Sequence, residues 1–271
     1  GDPRQAIYGF AGADADSIPR MAKELAENGR GCVTLPLTVT RRCGKAIVAE
    51  AKMIVKDFDA FETNPDGKIA TASYPTDRSG RERPGPNYLE GVKDGDMVLC
   101  RVNAPLVSQC FRLLKSGRRA NIQGRDIGQG LVNLVKKLGK GSVQELVSKI
   151  DDWAAKETSA ENAKRFPSDA RLIAIQDKTS CLQCFTEGCS TVDEVVRKIE
   201  SVFTDDKGKP GVLLSSIHRA KGLEAHRVYL LEPEGSGVPH PMAKTPWQVG
   251  QEWNLRYVAI TRAIKELTYV S

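Results

Sequence analysis

The segment from Asp96 to Gln123 constrains the fold most, because its pattern is strand, helix and strand in succession. Residues 97–100 form an apolar run of strand length, and residues 120–122 form another. Between them lies a helical stripe of apolar side chains that ends at Gly117 and consists of Leu106, Cys110, Leu113 and Leu114. Parallel neighbouring strands need a crossover of this kind, so the segment predicts an α/β domain built on a parallel sheet.

Further strands and helices are predicted on both sides of this unit. The apolar runs predict strands at Cys32–Leu37, Gly211–Leu214, Val228–Leu231 and Leu267–Val270. Helical spacing predicts helices at Ser17–Glu27, Arg42–Lys56 and roughly 249–264. Residues 57–95 are rich in turn-forming residues and are predicted to be mostly loop.

Residues 125–205 differ from the rest because they carry three stripes of apolar residues at helical spacing. Two of these stripes open with a capping-box pair, Ser142 with Glu145 and Thr191 with Glu194. The sequence therefore predicts a small helical insertion within the α/β domain.

Composition limits the classes of function. The 271 residues include 40 Lys and Arg against 34 Asp and Glu, and the resulting charge of +6 permits a polyanionic partner without requiring one. No apolar run approaches the ~18 residues that span a membrane. Seven cysteines, an odd number, argue against a complete disulfide framework. We therefore expect a cytoplasmic protein in a reducing setting, with no membrane segment.

The sequence predicts neither a metal site nor a complete ATP site. Cys181, Cys184 and Cys189 have a spacing that suggests zinc, but no nearby His or Cys supplies a fourth ligand, so buried thiols are expected. The chain has no G-x-x-x-x-G-K-[ST] loop and no acidic run at a strand end to hold Mg²⁺. We expect that the isolated chain does not hydrolyse ATP.

The chain opens with the residues GDPRQAIYGFAGAD. This segment resembles motif III of the UvrD/Rep-like superfamily 1 DNA helicases. The resemblance implies that Gln5 senses the γ-phosphate of ATP and that Phe10 stacks on a base of single-stranded DNA. Ala11 stands where the family commonly has an Arg. Under this interpretation the chain begins inside a longer helicase, after its phosphate-binding loop.

Residues 37–43, LTVTRRC, resemble motif IV of the same family, usually written L-x-x-N-Y-R-S. Arg42 falls on the motif's arginine finger, a cation that stabilises the charge developing on the γ-phosphate. Thr40 replaces the Asn, and Arg41 replaces a Tyr that stacks on adenine. The planar guanidinium of Arg41 could stack in its place. The alternative is that Arg42 is a surface residue at a helix N-terminus.

Residues 213–224, LLSSIHRAKGLE, resemble motif V, in which T-x-H-x-x-K-G-L-E follows a strand. The resemblance implies that Ser216 contacts a DNA phosphate, that His218 couples the DNA and nucleotide sites, and that Glu224 binds the nucleotide ribose. The alternative for His218 is a structural, hydrogen-bonded histidine. Residues 251–263 resemble motif VI, and there Arg262 takes the place of a second arginine finger.

The four motifs occur in the family's order, and the resemblance implies a RecA-like, P-loop NTPase-type parallel sheet with a helical insertion. Residues 1–30 would end the first RecA-like domain, 31–124 and 208–271 would form the second, and 125–207 the insertion. ATP and Mg²⁺ would be held mainly by the N-terminal half of the parent chain. The expected activity is 3′–5′ translocation and unwinding at single-stranded DNA and its junctions with duplex, in DNA repair or replication.

Two other functions stay open at this point. One is a non-catalytic module that binds single-stranded DNA or another protein. The other is a subunit of a helicase–nuclease.

Overall fold

The computed structural model describes residues 2–9, 16–29, 32–33, 35–75, 87–139, 141–205 and 211–271. Its strands are β1 (Val39–Thr40), β2 (Asp59–Ala60), β3 (Lys68–Ala72), β4 (Met97–Cys100), β5 (Ala120–Gln123), β6 (Phe203–Thr204), β7 (Val212–Ser216), β8 (Ala225–Leu231) and β9 (Ala263–Val270). Its helices are α1 (Ser17–Glu27), α2 (Lys45–Lys52), α3 (Tyr88–Gly91), α4 (Ala104–Lys115), α5 (Arg125–Leu138), α6 (Val143–Asn162), α7 (Asp169–Thr186), α8 (Val192–Val202) and α9 (Pro246–Ile260). A short 3-10 turn at Pro3–Gln5 precedes them.

Seven strands form one sheet in the order β3-β9-β8-β4-β7-β5-β6, and every recorded pairing in it is parallel. A separate pair joins β1 to β2. The predicted α/β class is confirmed. Among the helices of the described segments, none combines the length and apolar character that crossing a membrane requires.

The centre of the sheet is buried on both faces, as its apolar strands require. In β4, successive side chains point to opposite faces. Val98 packs into a cluster that includes residues of α4, α5, α7 and α8. Leu99 packs into a second cluster that includes residues of α2 and α9. The helices of residues 125–202 therefore lie against one face, and the segments resembling motifs IV and VI lie against the other.

Some of the predicted elements were wrong. In the described part of the predicted strand Cys32–Leu37, residues 32–33 and 35–37, no strand is formed, and Val33, Leu35 and Leu37 are largely exposed. An apolar run needs a neighbour to become a strand, and the described residues offer this one none. The helix predicted at Arg42–Lys56 is shorter than expected: it is α2, which begins after Gly44 and ends at Lys52. A Cβ atom at Gly44 would lie 2.8 Å from the Cα of Gly67, so the backbones meet too closely for a side chain.

Other elements were missed or shifted. β3 lies inside the predicted loop at residues 57–95. The sequence did not predict this strand because a half-exposed edge strand has few apolar residues in alternation. α7 packs against α6, α4 and α8, and a helix with several buried sides lacks a single stripe. α9 begins three residues before the expected start, since Thr245 and Gln248 form a capping box there, and it ends at Ile260.

Candidate nucleotide and nucleic-acid sites

The carboxyl ends of three neighbouring parallel strands meet at one edge of the sheet, where ligands of open α/β sheets bind. Arg101 follows β4, Gln123 ends β5 and Ser216 ends β7. These residues line a cavity of about 860 Å³, to which α7 and the loop after β7 also contribute. His218 lies in that loop and lines the same cavity. Two residues predicted to contact DNA, Ser216 and His218, are thus brought together.

Arg101 is held by a bidentate ion pair that the sequence did not predict. Its Nε lies 3.0 Å from both carboxylate oxygens of Glu252, and its Nη2 lies 2.8 Å from Oε1. Glu252 also accepts a hydrogen bond from the backbone N–H of His240. Both charged side chains are largely buried. Removing one partner of such a pair typically costs ~3–5 kcal/mol, so this contact fixes the end of β4 against α9.

Asp177 of α7 joins the helical segment to the same edge of the sheet. Its carboxylate accepts hydrogen bonds from the backbone N–H groups of Asn103 and Ala104 and from the side-chain amide of Asn103. Those N–H groups begin α4 and have no partner inside the helix, so an acidic side chain there is doubly favourable. Both Asn103 and Asp177 line the cavity. Asn103 lies just after a predicted strand, and Asp177 lies on a helix that the sequence did not predict. The sequence therefore did not single out either residue.

His218 is held close to the motif III segment. The hydroxyl of Tyr8 donates to the backbone carbonyl of His218 at 2.7 Å, and the two ring centroids are 6.0 Å apart. Burial, and then the positive charge of Arg101, lowers the pKa of His218 to about 3. The imidazole is therefore neutral at neutral pH.

A second cleft of about 810 Å³ contains Gln5, Arg41, Arg42 and Glu224 in its lining. Arg42 Nη1 lies 3.5 Å from Glu224 Oε2, so motifs IV and V meet there. The Nε of Arg42 is buried and lacks a hydrogen-bond partner among the described residues. The guanidinium carbon of Arg41 lies 3.6 Å from the ring centroid of Phe61, so this side chain already stacks on an aromatic face.

Gln5 connects this cleft to the loop after β7. Its side-chain amide donates to Asp2 Oδ2 at 2.8 Å, and its backbone carbonyl accepts from Lys221 Nζ at 2.8 Å. The predicted stacking residue Phe10, and Ala11 after it, lie outside the described residues.

Arg262 points inward rather than into the cleft. The side chain donates from Nε to the carbonyl of Val258, from Nη1 to the carbonyl of Leu223 and from Nη2 to the hydroxyl of Thr261. The residue is 2% exposed and does not line the cleft. Burial, followed by the charge of Arg42, lowers the pKa of Arg262 to about 10. The guanidinium thus stays positive at neutral pH and lies close enough to Arg42 for the two charges to interact.

The three cysteines whose spacing suggests zinc make contacts of their own within the described residues. Cys189 donates to the carbonyl of Phe185 and Cys181 contacts Asp177, both contacts within or at the end of α7. Burial raises the pKa of both Cys181 and Cys184, which disfavours thiolates. Within the described segments, no group of three or more His, Cys, Asp or Glu residues could hold a metal ion.

Comparisons with known proteins give the family and relatives of this chain. Residues 118–271, more than half of the chain, match the family described as the UvrD-like helicase C-terminal domain. F-box DNA helicase protein 1 of Schizosaccharomyces pombe is 25% identical over 284 residues, covering 98% of this chain and 30% of that protein. ATP-dependent DNA helicase Rep of Escherichia coli is 41% identical over 58 residues, covering 21% of this chain and 9% of that protein. The matched segments thus cover less than a third of the length of either relative.

A solved structure, the C-terminal domain of a possible DNA helicase from Lactobacillus plantarum WCFS1, aligns over 86% of this chain and 87% of that domain. The sequence identity is 14% and the TM-score 0.26, which is too low to carry a structural argument.

Proposed function

Because the chain belongs to the UvrD-like helicase C-terminal domain family, we propose that it is the C-terminal RecA-like portion of an ATP-dependent DNA helicase. Residues 1–30 end the first RecA-like domain, 31–124 and 208–271 form the second, and 125–207 are a helical insertion. The N-terminal half of the parent chain binds the phosphates of ATP together with Mg²⁺. Translocation runs 3′ to 5′, as the resemblance to UvrD/Rep-like helicases implies.

The observation that carries the proposal is a single loop that contributes to both cavities. Ser216 and His218 line the cavity at the sheet edge, and Glu224 at the other end of the loop lines the cleft. The motif III segment follows the same course, because Gln5 lines the cleft and Tyr8 lines the cavity. A displacement of either segment therefore changes the lining of both sites. A motor that couples ATP hydrolysis to movement along DNA requires such a connection.

The cleft has the chemistry of a nucleotide phosphate site. ATP supplies free energy through transfer of its γ-phosphoryl group to water. Arg42 provides a cation with a buried N–H that has no partner among the described residues, which suits a phosphate oxygen. Arg262 supplies a second positive charge from beneath the cleft. Glu224 pairs with Arg42 and is half-exposed, so it can turn to a ribose hydroxyl.

The cavity at the sheet edge suits single-stranded DNA. Its charged lining is three arginines, Arg101, Arg171 and Arg219, against Asp177, and each arginine is also ion-paired. Arg171 and Arg219 are 58% and 33% exposed, so they can contact a phosphate backbone as the cations of single-strand grooves do. Ser216 offers a hydroxyl for a phosphate oxygen, and neutral His218 can donate or accept without adding charge. Phe10 supplies the base-stacking contact.

Equilibrium binding of single-stranded DNA by the chain tests this proposal. The probe is a fluorescein-labelled oligothymidine of about 20 nucleotides, longer than the roughly 4–16 that one single-strand-binding fold covers. We expect saturable binding that weakens about 5- to 150-fold in Phe10→Ala, since base stacking is worth ~1–3 kcal/mol. Phe166→Ala is the control, because Phe166 is largely exposed and lines neither cavity. Absence of binding, or equal loss in both variants, would refute the proposal.

A further inference from the structure

Trp247 lies at the N-terminal end of α9 and is 61% exposed, which is unusual for the largest apolar side chain. The side chain also lines a small cavity of about 80 Å³, together with the apolar residues Ile7, Ile173 and Met242 and with His218. The sequence patterns of the helicase motifs do not include this residue.

Trp247 shares a helix face with the residue that contacts the motif III backbone. Gln251 lies four positions later, and residues so spaced are neighbours on a helix, with Cβ atoms ~5–6 Å apart. The side-chain oxygen of Gln251 accepts from the backbone N–H of Gly9 at 3.4 Å. Gly9 directly precedes Phe10 in the sequence. Gly9 and Trp247 also line the same small cavity.

The small cavity continues into the larger one at the sheet edge. Arg101, Ala170, Ile173 and His218 line both. A ligand that follows the larger cavity past Ser216 and His218 would therefore reach Trp247 without leaving the surface. The charged lining of the larger cavity is three arginines against one acidic residue, Asp177. Each arginine is ion-paired, but Arg171 is 58% exposed and can also contact a phosphate, which favours an anionic strand over an apolar peptide in this position.

We propose that Trp247 stacks on a base of single-stranded DNA, so that the DNA path extends beyond motif III onto the N-terminal end of α9. This inference rests on the proposed function, which supplies the occupant. An indole offers a large, rigid aromatic face, and stacking on it is tolerant of sequence.

Tryptophan fluorescence can test this contact directly. The chain has three tryptophans, at positions 153, 247 and 253, so the double variant Trp153→Phe/Trp253→Phe leaves Trp247 as the sole reporter. We expect oligothymidine to quench its emission, and an abasic oligonucleotide of equal length to quench it far less. Trp247→Ala should weaken binding of oligothymidine about 5- to 150-fold, with little change for the abasic strand.

Trp253→Ala is the matched control, because Trp253 is 42% exposed on the same helix and lines neither cavity. Trp247→Phe retains an aromatic ring and should keep most of the affinity. If the chain binds oligothymidine but Trp247→Ala changes nothing, the inference is wrong. Equal loss in the Phe and Ala variants with a lower unfolding midpoint would assign Trp247 a structural role. Failure of the unaltered chain to bind any DNA would remove the proposed function itself.

Discussion

At the scale of single residues, the neutral state of His218 makes stability depend on pH. Its folded pKa is about 3, whereas an unfolded histidine titrates near 6.5. Below that value the unfolded chain binds more protons, so the stabilisation is complete above pH 6.5 and is lost as the pH falls toward 3. The slope from one such group is at most ~1.4 kcal/mol per pH unit.

We expect the urea concentration at the unfolding midpoint to decrease as the pH is lowered from about 7.5 to about 5. The variant His218→Gln should show a smaller decrease. The reduction is partial, because burial also lowers the pKa of His240. His226→Gln is the control, since its side chain is exposed. A pH dependence that is the same in all three proteins would contradict a neutral, half-buried His218.

The candidate residues differ in how far sequence alone could identify them. Gln5, Arg42 and Glu224 were singled out by motif resemblance, although nothing in their local sequence says that they share a cleft. Arg101 and Glu252 escaped notice because they are 151 positions apart. Each looks like an ordinary surface charge until the fold brings them together. The roles of all these residues remain predictions.

At the scale of secondary-structure elements, α5 offers a comparison of two glycines on one helix. A Cβ atom at Gly128 would lie 2.8 Å from Cβ of Phe203 in β6, whereas one at Gly130 would meet nothing within 4 Å. Gly128→Ala should destabilise the chain by ~1–3 kcal/mol, because overpacking forces a shift of the helix or the strand. Gly130→Ala should stabilise it by up to ~1 kcal/mol, as alanine favours helix. Urea unfolding of both variants measures the difference, and a loss in Gly130→Ala would contradict the packing.

The central strands could be predicted because they are buried on both faces and therefore form continuous apolar runs. β4 was predicted with its observed bounds, and β5, β7 and β8 were predicted to within a few residues. The edge strand β3 and the helix α7 could not be predicted. β3 is half-exposed and α7 packs against several helices, so neither has a single buried face with a periodic apolar pattern. The apolar run at Cys32–Leu37 was wrongly predicted to form a strand, because apolar side chains alone do not supply a pairing partner.

At the scale of the whole molecule, we expect no ATP turnover by this chain, with or without single-stranded DNA. It carries residues that we propose face a nucleotide, but it has no phosphate-binding loop in its 271 residues. Phosphate release measured over a range of enzyme concentrations checks this. DNA-stimulated hydrolysis that persists through purification and disappears in Arg262→Ala would contradict it.

The position of β9 between β3 and β8 has a consequence for biosynthesis. Lys68 of β3 pairs with Glu266 of β9, roughly 200 residues later in the chain. At about 5–20 residues per second, a ribosome would need roughly 10–40 seconds between making the two strands. During that interval β3 has a free edge, which is a template for wrong pairing. A message truncated before the codon for Ala263 would yield a polypeptide whose β3 never meets its described neighbour.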